Sequence, residues 1–114
     1  NQSLEHHYWR AISIGGNELV LEATQIPHIA FHKQTSRVAG FGGCNRFFAI
    51  YEQQNTELKI SFMGGGRAKC SELDGLERRF LQILQQTRSF RIDGVTLYLI
   101  NGEDVLGEFL GVKR

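Results

Sequence analysis

Only one stretch of this 114-residue chain, Ser71 to Gln86, repeats its apolar residues at helical spacing; everything on either side is short, extended and broken by turns. Leu73, Leu76, Phe80, Ile83 and Leu84 recur three and four residues apart and so share one helical face, while Arg78, Arg79, Gln82, Gln85 and Gln86 fall on the other. Ser71 with Asp74 fits a capping box at the helix start. Gly75 weakens the first turn by roughly 1 kcal/mol relative to alanine. The remaining segments read as strands: Tyr8 to Ile14, Glu18 to Ala23, a segment opened by Pro27 that sets Ile29, Phe31 and Lys33 on one side, Arg37 to Phe41 and Asn45 to Tyr51. Leu58, Ile60 and Phe62 then alternate with Lys59 and Ser61, the period-2 signature of a half-buried strand. Phe90 to Asp93, Thr96 to Ile100 and Val105 to Val112 complete the set, with Asp93-Gly94 and Asn101-Gly102 as hairpin turns.

Links this short exclude the crossovers that parallel strands require. The expectation is an α+β domain: an antiparallel sheet of about eight strands with one α-helix, curled into a compact barrel or strongly coiled sheet so that its edges are not exposed. The helix then covers one opening or one face. No linker, repeat or low-complexity tract divides the chain, so residues 1–114 are read as one domain. A formal net charge of +1 offers no broad electrostatic footprint for nucleic acid or anionic membranes. No apolar run approaches the roughly 18 residues of a membrane-spanning helix. Asn1, in the absence of an initiator methionine, is read as the start of a processed or trimmed chain.

Two glycine-cysteine landmarks flank the middle strands. In Gly40-Phe41-Gly42-Gly43-Cys44-Asn45-Arg46, glycines that permit a tight or left-handed turn stop at a cysteine, and an aromatic-rich strand follows. Gly66-Arg67-Ala68-Lys69-Cys70 leads into the helix, where Glu77, Phe80 and Leu84 follow in a Glu-x-x-Phe-x-x-x-Leu pattern. With the early Trp9, these elements resemble, in order and spacing, the META domain family, which includes the HslJ-like, heat-shock-associated proteins of bacteria. The second landmark departs from the family pattern, with Gly66, Ala68 and Lys69 where Thr, Met and Ala are usual.

The resemblance implies a barrel-like antiparallel fold in the periplasm or anchored at the outer membrane, with a lipid anchor ahead of residue 1 as one arrangement. Members are linked to stress tolerance, antibiotic resistance and virulence, and the fold is similar to that of secretion-system pilot lipoproteins. No catalytic residues are established for the family, so none are carried over. Cys44 and Cys70, the only cysteines, have two readings: one disulfide, favoured by the family's usual oxidising compartment, or two buried thiols packed as small hydrophobes. Closing the intervening loop would stabilise the fold by about 3 kcal/mol.

Other chemistry is weakly signalled. His6 and His7 lie near a chain end, and His28 and His32 are four apart on one side of an extended segment; no metal-ligand spacing connects them. Met63-Gly64-Gly65-Gly66-Arg67 lacks the Gly-Lys-Ser/Thr of a phosphate-binding loop and is read as a flexible strand-to-helix connection. Asn45 is expected to hydrogen-bond its own turn. With the aromatics assigned to the core, stacking on nucleic acid is not expected. No catalytic, cofactor-binding or metal-binding residue is assigned. Arg46, Arg67 and Lys69 are the candidate interaction loop. Two function classes remain: a non-enzymatic, monomeric envelope domain that binds a protein or an apolar ligand, pilot- or chaperone-like in one version, and an enzyme whose site is assembled from distant strands. The pocket discriminates them, since converging polar groups favour catalysis and an apolar lining favours binding.

Overall fold

A computed structural model describes residues 3–70 and 72–113. Nine strands and one helix follow in order: β1 (His7–Ile14), β2 (Asn17–Glu18), β3 (His28–His32), β4 (Arg37–Phe41), β5 (Arg46–Gln54), β6 (Glu57–Gly65), α1 (Asp74–Gln86), β7 (Ser89–Asp93), β8 (Thr96–Asn101) and β9 (Asp104–Lys113). All pairings are antiparallel, in the order β2-β1-β3-β4-β5-β6-β7-β8-β9, and β1 also pairs with β9. That last pairing, from His7↔Lys113 to Ile14↔Gly107, bends the sheet into a ring. The expected α+β barrel is therefore the observed one, with β2 as a two-residue addition outside the ring.

The ring is thinnest between β6 and β7, which share a single register pair, Glu57↔Ser89. Two backbone bonds reinforce it, Leu58 N–H to Arg88 O at 2.9 Å and Phe90 N–H to Thr56 O at 3.0 Å. Beyond that point α1 takes over, packing against β6, β1 and β8. Phe80, Ile83 and Leu84 are its buried residues. Phe80 sits between Phe47 and Phe109, with ring centroids 6.1 Å from each. The polar face, from Arg78 to Gln86, is exposed as its spacing predicts. The helix ends without a glycine: Thr87, fully buried, donates its hydroxyl to Ile83 O (2.8 Å), and Asn101 Nδ2 donates to Gln86 O (2.8 Å). Both bonds satisfy carbonyls that the last turn leaves open.

Alternation sorts the strands as expected. On β5, Phe47, Ala49 and Tyr51 are buried while Arg46, Phe48 and Ile50 face out. Trp9 is fully buried and its indole N–H donates to Leu4 O at 2.8 Å, so the early tryptophan is a core residue with its polar atom satisfied.

Four local expectations are corrected. Glu18 to Ala23 does not continue as a strand, because the edge of β1 it would follow is taken by β3: Arg10 pairs with His28 and Ala11 N–H donates to Pro27 O at 2.9 Å. β2 is left with Ser13 and Ile14 alone, and Ala23–Gln25 forms a single 3₁₀ turn. Lys33 lies past the end of β3 and is exposed. Met63 to Gly65 are not a flexible connection but the end of β6, held by pairing of Gly64 and Gly65 with Phe48 and Phe47. The helix begins at Asp74, and Leu73 and Leu76 are only half-buried at its start. Ser71, half of the expected capping box, lies outside the described residues. Asp74 Oδ1 accepts the backbone N–H of Cys70 at 3.0 Å, and so ties the entering loop to the first turn.

Candidate functional site

The two glycine-cysteine landmarks meet. Cys44 and Cys70 are joined by a disulfide with alpha carbons 6.0 Å apart. Beside it, Glu77 points from the first helical turn into the bend between β4 and β5. One of its carboxylate oxygens accepts the backbone N–H groups of Cys44 (3.0 Å) and Asn45 (2.6 Å), and the other accepts Asn45 Nδ2 (2.9 Å). Asn45 then spans to the second landmark, with Oδ1 accepting Ala68 N–H and Nδ2 donating to Ala68 O, both at 2.9 Å. Its side chain therefore does not bond its own turn, as expected from the sequence; that turn is closed by Gly42 N–H on Asn45 O at 2.9 Å.

The glycines here have specific work. Gly43 adopts a φ of +111°, open to glycine and costly for other residues. A Cβ on Gly42 would stand 2.7 Å from Glu77 Cγ, and one on Gly66 would stand 2.5 Å from Asn45 Oδ1. Each contact is closer than packed atoms allow. The result is a latch that fastens the start of β5, the loop after β6 and the helix entrance to one another. Its amide and carboxylate groups are engaged within the protein, so the arrangement has the chemistry of a brace. Glu77 was visible in the sequence only as part of the helix pattern; its bracing role depends on a contact 32 residues away in the chain.

Arg46, Arg67 and Lys69 come from two segments that lie side by side, joined by a backbone bond from Gly66 N–H to Arg46 O at 2.9 Å. Arg46 is the first residue of β5, whereas Arg67 and Lys69 are exposed on the segment between β6 and α1. Arg46 lines a groove of about 360 Å³ on the outer face of the sheet, and neither of the others does. Cross-strand register builds this groove. Tyr8, Ala30, Ala39 and Phe48 are successive partners on β1, β3, β4 and β5, so two alanines form a floor between two aromatic walls. The next row is Arg10, His28, Phe41 and Arg46, which sets a histidine and two arginines at one end.

His28 is half-buried there, with its ring centroid 5.5 Å from that of Tyr8 and 5.6 Å from that of Phe41. Burial pushes its pKa below the ordinary value of 6.5, and the positive charges of Arg46 and Arg10 push the same way against a hydrogen bond to the Ile26 backbone. His32 is exposed at the other end of the same strand, so the two histidines have different surroundings. The expectation that the aromatics are committed to the core also fails: Phe48, which lines the groove, is 55% exposed, and Phe62 on β6 is exposed as well. Alternation signals that Phe48 faces out; the cross-strand row that makes it a wall is not readable from one strand.

A second titratable group lies apart from the groove. Tyr51 donates its phenol to Glu5, and burial together with that carboxylate raises its pKa well above the usual range. Among the described residues, no group of three His, Cys, Asp or Glu is placed to hold a metal ion, and no helix is long and apolar enough to cross a membrane.

Comparison with known proteins follows the same outline. No curated protein matches the sequence significantly. A protein from Burkholderia xenovorans solved by NMR superposes with a TM-score of 0.73 at 21% identity, covering 97% of this chain and 85% of that one. A second NMR structure gives 0.68 at 23% identity, covering 94% and 91%. The crystal structure of a DUF4847 family protein from Bacteroides vulgatus gives 0.67 at 12% identity, covering 97% and 96%. At these identities the likeness is one of fold. The META domain family model matches residues 2–111, nearly the whole sequence. With the latch residues in the positions that carry that pattern, the chain belongs to the META domain family.

Proposed function

We propose that this META domain is a non-catalytic binding module of the bacterial cell envelope, periplasmic or held at the outer membrane, and that the outer groove is its recognition surface. The observation that carries the reading is the groove itself, an aromatic-walled, alanine-floored depression on the sheet with one wall, Phe48, more than half exposed. Exposed apolar surface concentrated in one place is a common mark of an interaction site. The disulfide supports an oxidising compartment, where such bonds persist. The latch supports a structural role for the family landmarks, because their polar groups bond one another.

Filling the groove tests the proposal. Ala39→Trp places a large side chain on an outward position and is expected to leave the folded state intact while removing the stress-survival phenotype of cells that depend on this protein. A survival phenotype unchanged by Ala39→Trp refutes the groove as the functional surface. Robust turnover in a hydrolase and redox substrate screen, lost on changing one His, Asp or Glu with the fold preserved, refutes the non-catalytic reading.

A further inference from the structure

We propose that the groove takes a small aromatic carboxylate, its ring lying over Ala30 and Ala39 between Tyr8 and Phe48 and its anionic end at His28 and Arg46. The inference rests on the reading of the groove as a binding surface and names what it binds. Shape comes first. Tyr8 and Phe48 stand three strand spacings apart, about 14 Å between backbones. The alanine methyls between them leave a flat floor, so a planar ring can lie on it with aromatic edges at both ends. A volume of about 360 Å³ is at the small end for ligand sites, enough for a single ring with a short acid chain but not for a long acyl chain or a folded peptide.

Charge supplies the polarity of the ligand. The charged groups acting on His28 are both cations, Arg10 on the adjacent β1 and Arg46 on β5, two strands away; the rings facing it are those of Tyr8 and Phe41. A carboxylate placed there gains charge-assisted hydrogen bonds from the arginine fork and from the imidazole. It also opposes the arginines' repulsion, which adds to burial in lowering the pKa of His28, and so favours the protonated imidazole in the complex. Affinity therefore rises as pH falls toward that lowered pKa, below 6.5.

The test uses the intact protein, with backbone amide chemical shifts as the readout and 3-phenylpropionate as the probe at pH 7.5 and pH 5.5. The expected result is saturable shifts confined to Tyr8, His28, Ala39, Arg46 and Phe48, with tighter binding at the lower pH. The uncharged 3-phenylpropionamide is expected to bind at least about tenfold more weakly, the ratio for one lost charge-assisted hydrogen bond. Arg46→Gln should weaken the acid by a similar factor and leave the amide unchanged. Equal affinity of acid and amide in the groove overturns the carboxylate assignment while leaving the groove a binding surface. Decanoate binding there more tightly than 3-phenylpropionate overturns the aromatic assignment. Absence of groove shifts with every probe at millimolar concentration overturns the ligand class outright. The groove reading itself fails separately, on an unchanged survival phenotype for Ala39→Trp.

Discussion

Asn45 and Arg46 are neighbours at the start of β5, yet they belong to two regions built on opposite principles. Asn45 turns toward the helix and the loop after β6, where it joins Glu77, Ala68 and the disulfide in a closed set of partners. Arg46 turns outward to a groove in which a histidine, an arginine and two aromatic rings face solvent without a carboxylate among the lining residues. In the latch, satisfied bonds and close-packed glycines leave no room for a ligand. The groove has space and uncompensated positive charge. A family signature can therefore mark the part of a domain that holds it together, while its first and last residues, Gly40 and Arg46, reach the proposed recognition surface on the other side of the sheet.

Breaking the latch should have the largest effect. Glu77→Ala leaves two backbone N–H groups and the Asn45 amide without their acceptor, three charge-assisted bonds at roughly 1.5 kcal/mol each. Chemical denaturation is expected to show a loss of about 4–5 kcal/mol, and a loss under 1 kcal/mol would mean the latch does not brace the fold. Next is the disulfide. Replacing both Cys44 and Cys70 with serine opens a link between residues 26 apart in sequence and is expected to cost about 3.5 kcal/mol by loop-closure entropy. Denaturation midpoints of the double mutant and the oxidised protein, measured side by side, check this.

The groove should respond mainly to pH. His28 has a folded pKa below its unfolded value of 6.5, so its contribution to stability is fully present above that value and is lost as pH falls toward the folded pKa. The stability difference between the protein and its His28→Asn variant should therefore shift in favour of the variant on acidification. A difference independent of pH between 7.5 and 5 would show that His28 is not held neutral. Phe48→Ser should have the smallest effect on stability, within about 0.5 kcal/mol, because more than half of that side chain is already exposed. The same substitution should abolish groove binding. A large stability loss instead would assign Phe48 to the core and dissolve the contrast between the regions.

Much of the barrel was legible because alternation and turn residues are local. Leu58 and Ile60 against Lys59, or Asp93-Gly94 between two apolar runs, carry their meaning within a few residues. The helix face was equally readable from Phe80, Ile83 and Leu84. What escaped depends on partners distant in sequence. The Glu18 to Ala23 strand fails because β3 occupies the same edge of β1, and competition for an edge has no local sign. Glu77 as a brace and Thr87 as a buried helix cap are set by what the folded chain brings beside them. The groove is the extreme case, since its floor needs Ala30 and Ala39 in register across four strands. The resemblance located the latch residues, but as landmarks rather than as a bonded set.

The pairing of β1 with β9 has a consequence for how the chain reaches this structure. The first and last strands are hydrogen-bonded along seven register positions, so the ring cannot close until almost the entire sequence is available. Contacts between residues about a hundred positions apart carry a high loop-closure entropy and slow the search for the native pairing. A ribosome-bound chain still lacking Asp104 to Lys113 has a β1 edge without its partner and cannot complete the sheet. The topology thus delays barrel closure until Asp104 to Lys113 have been made, and leaves the β1 edge open for pairing until that moment.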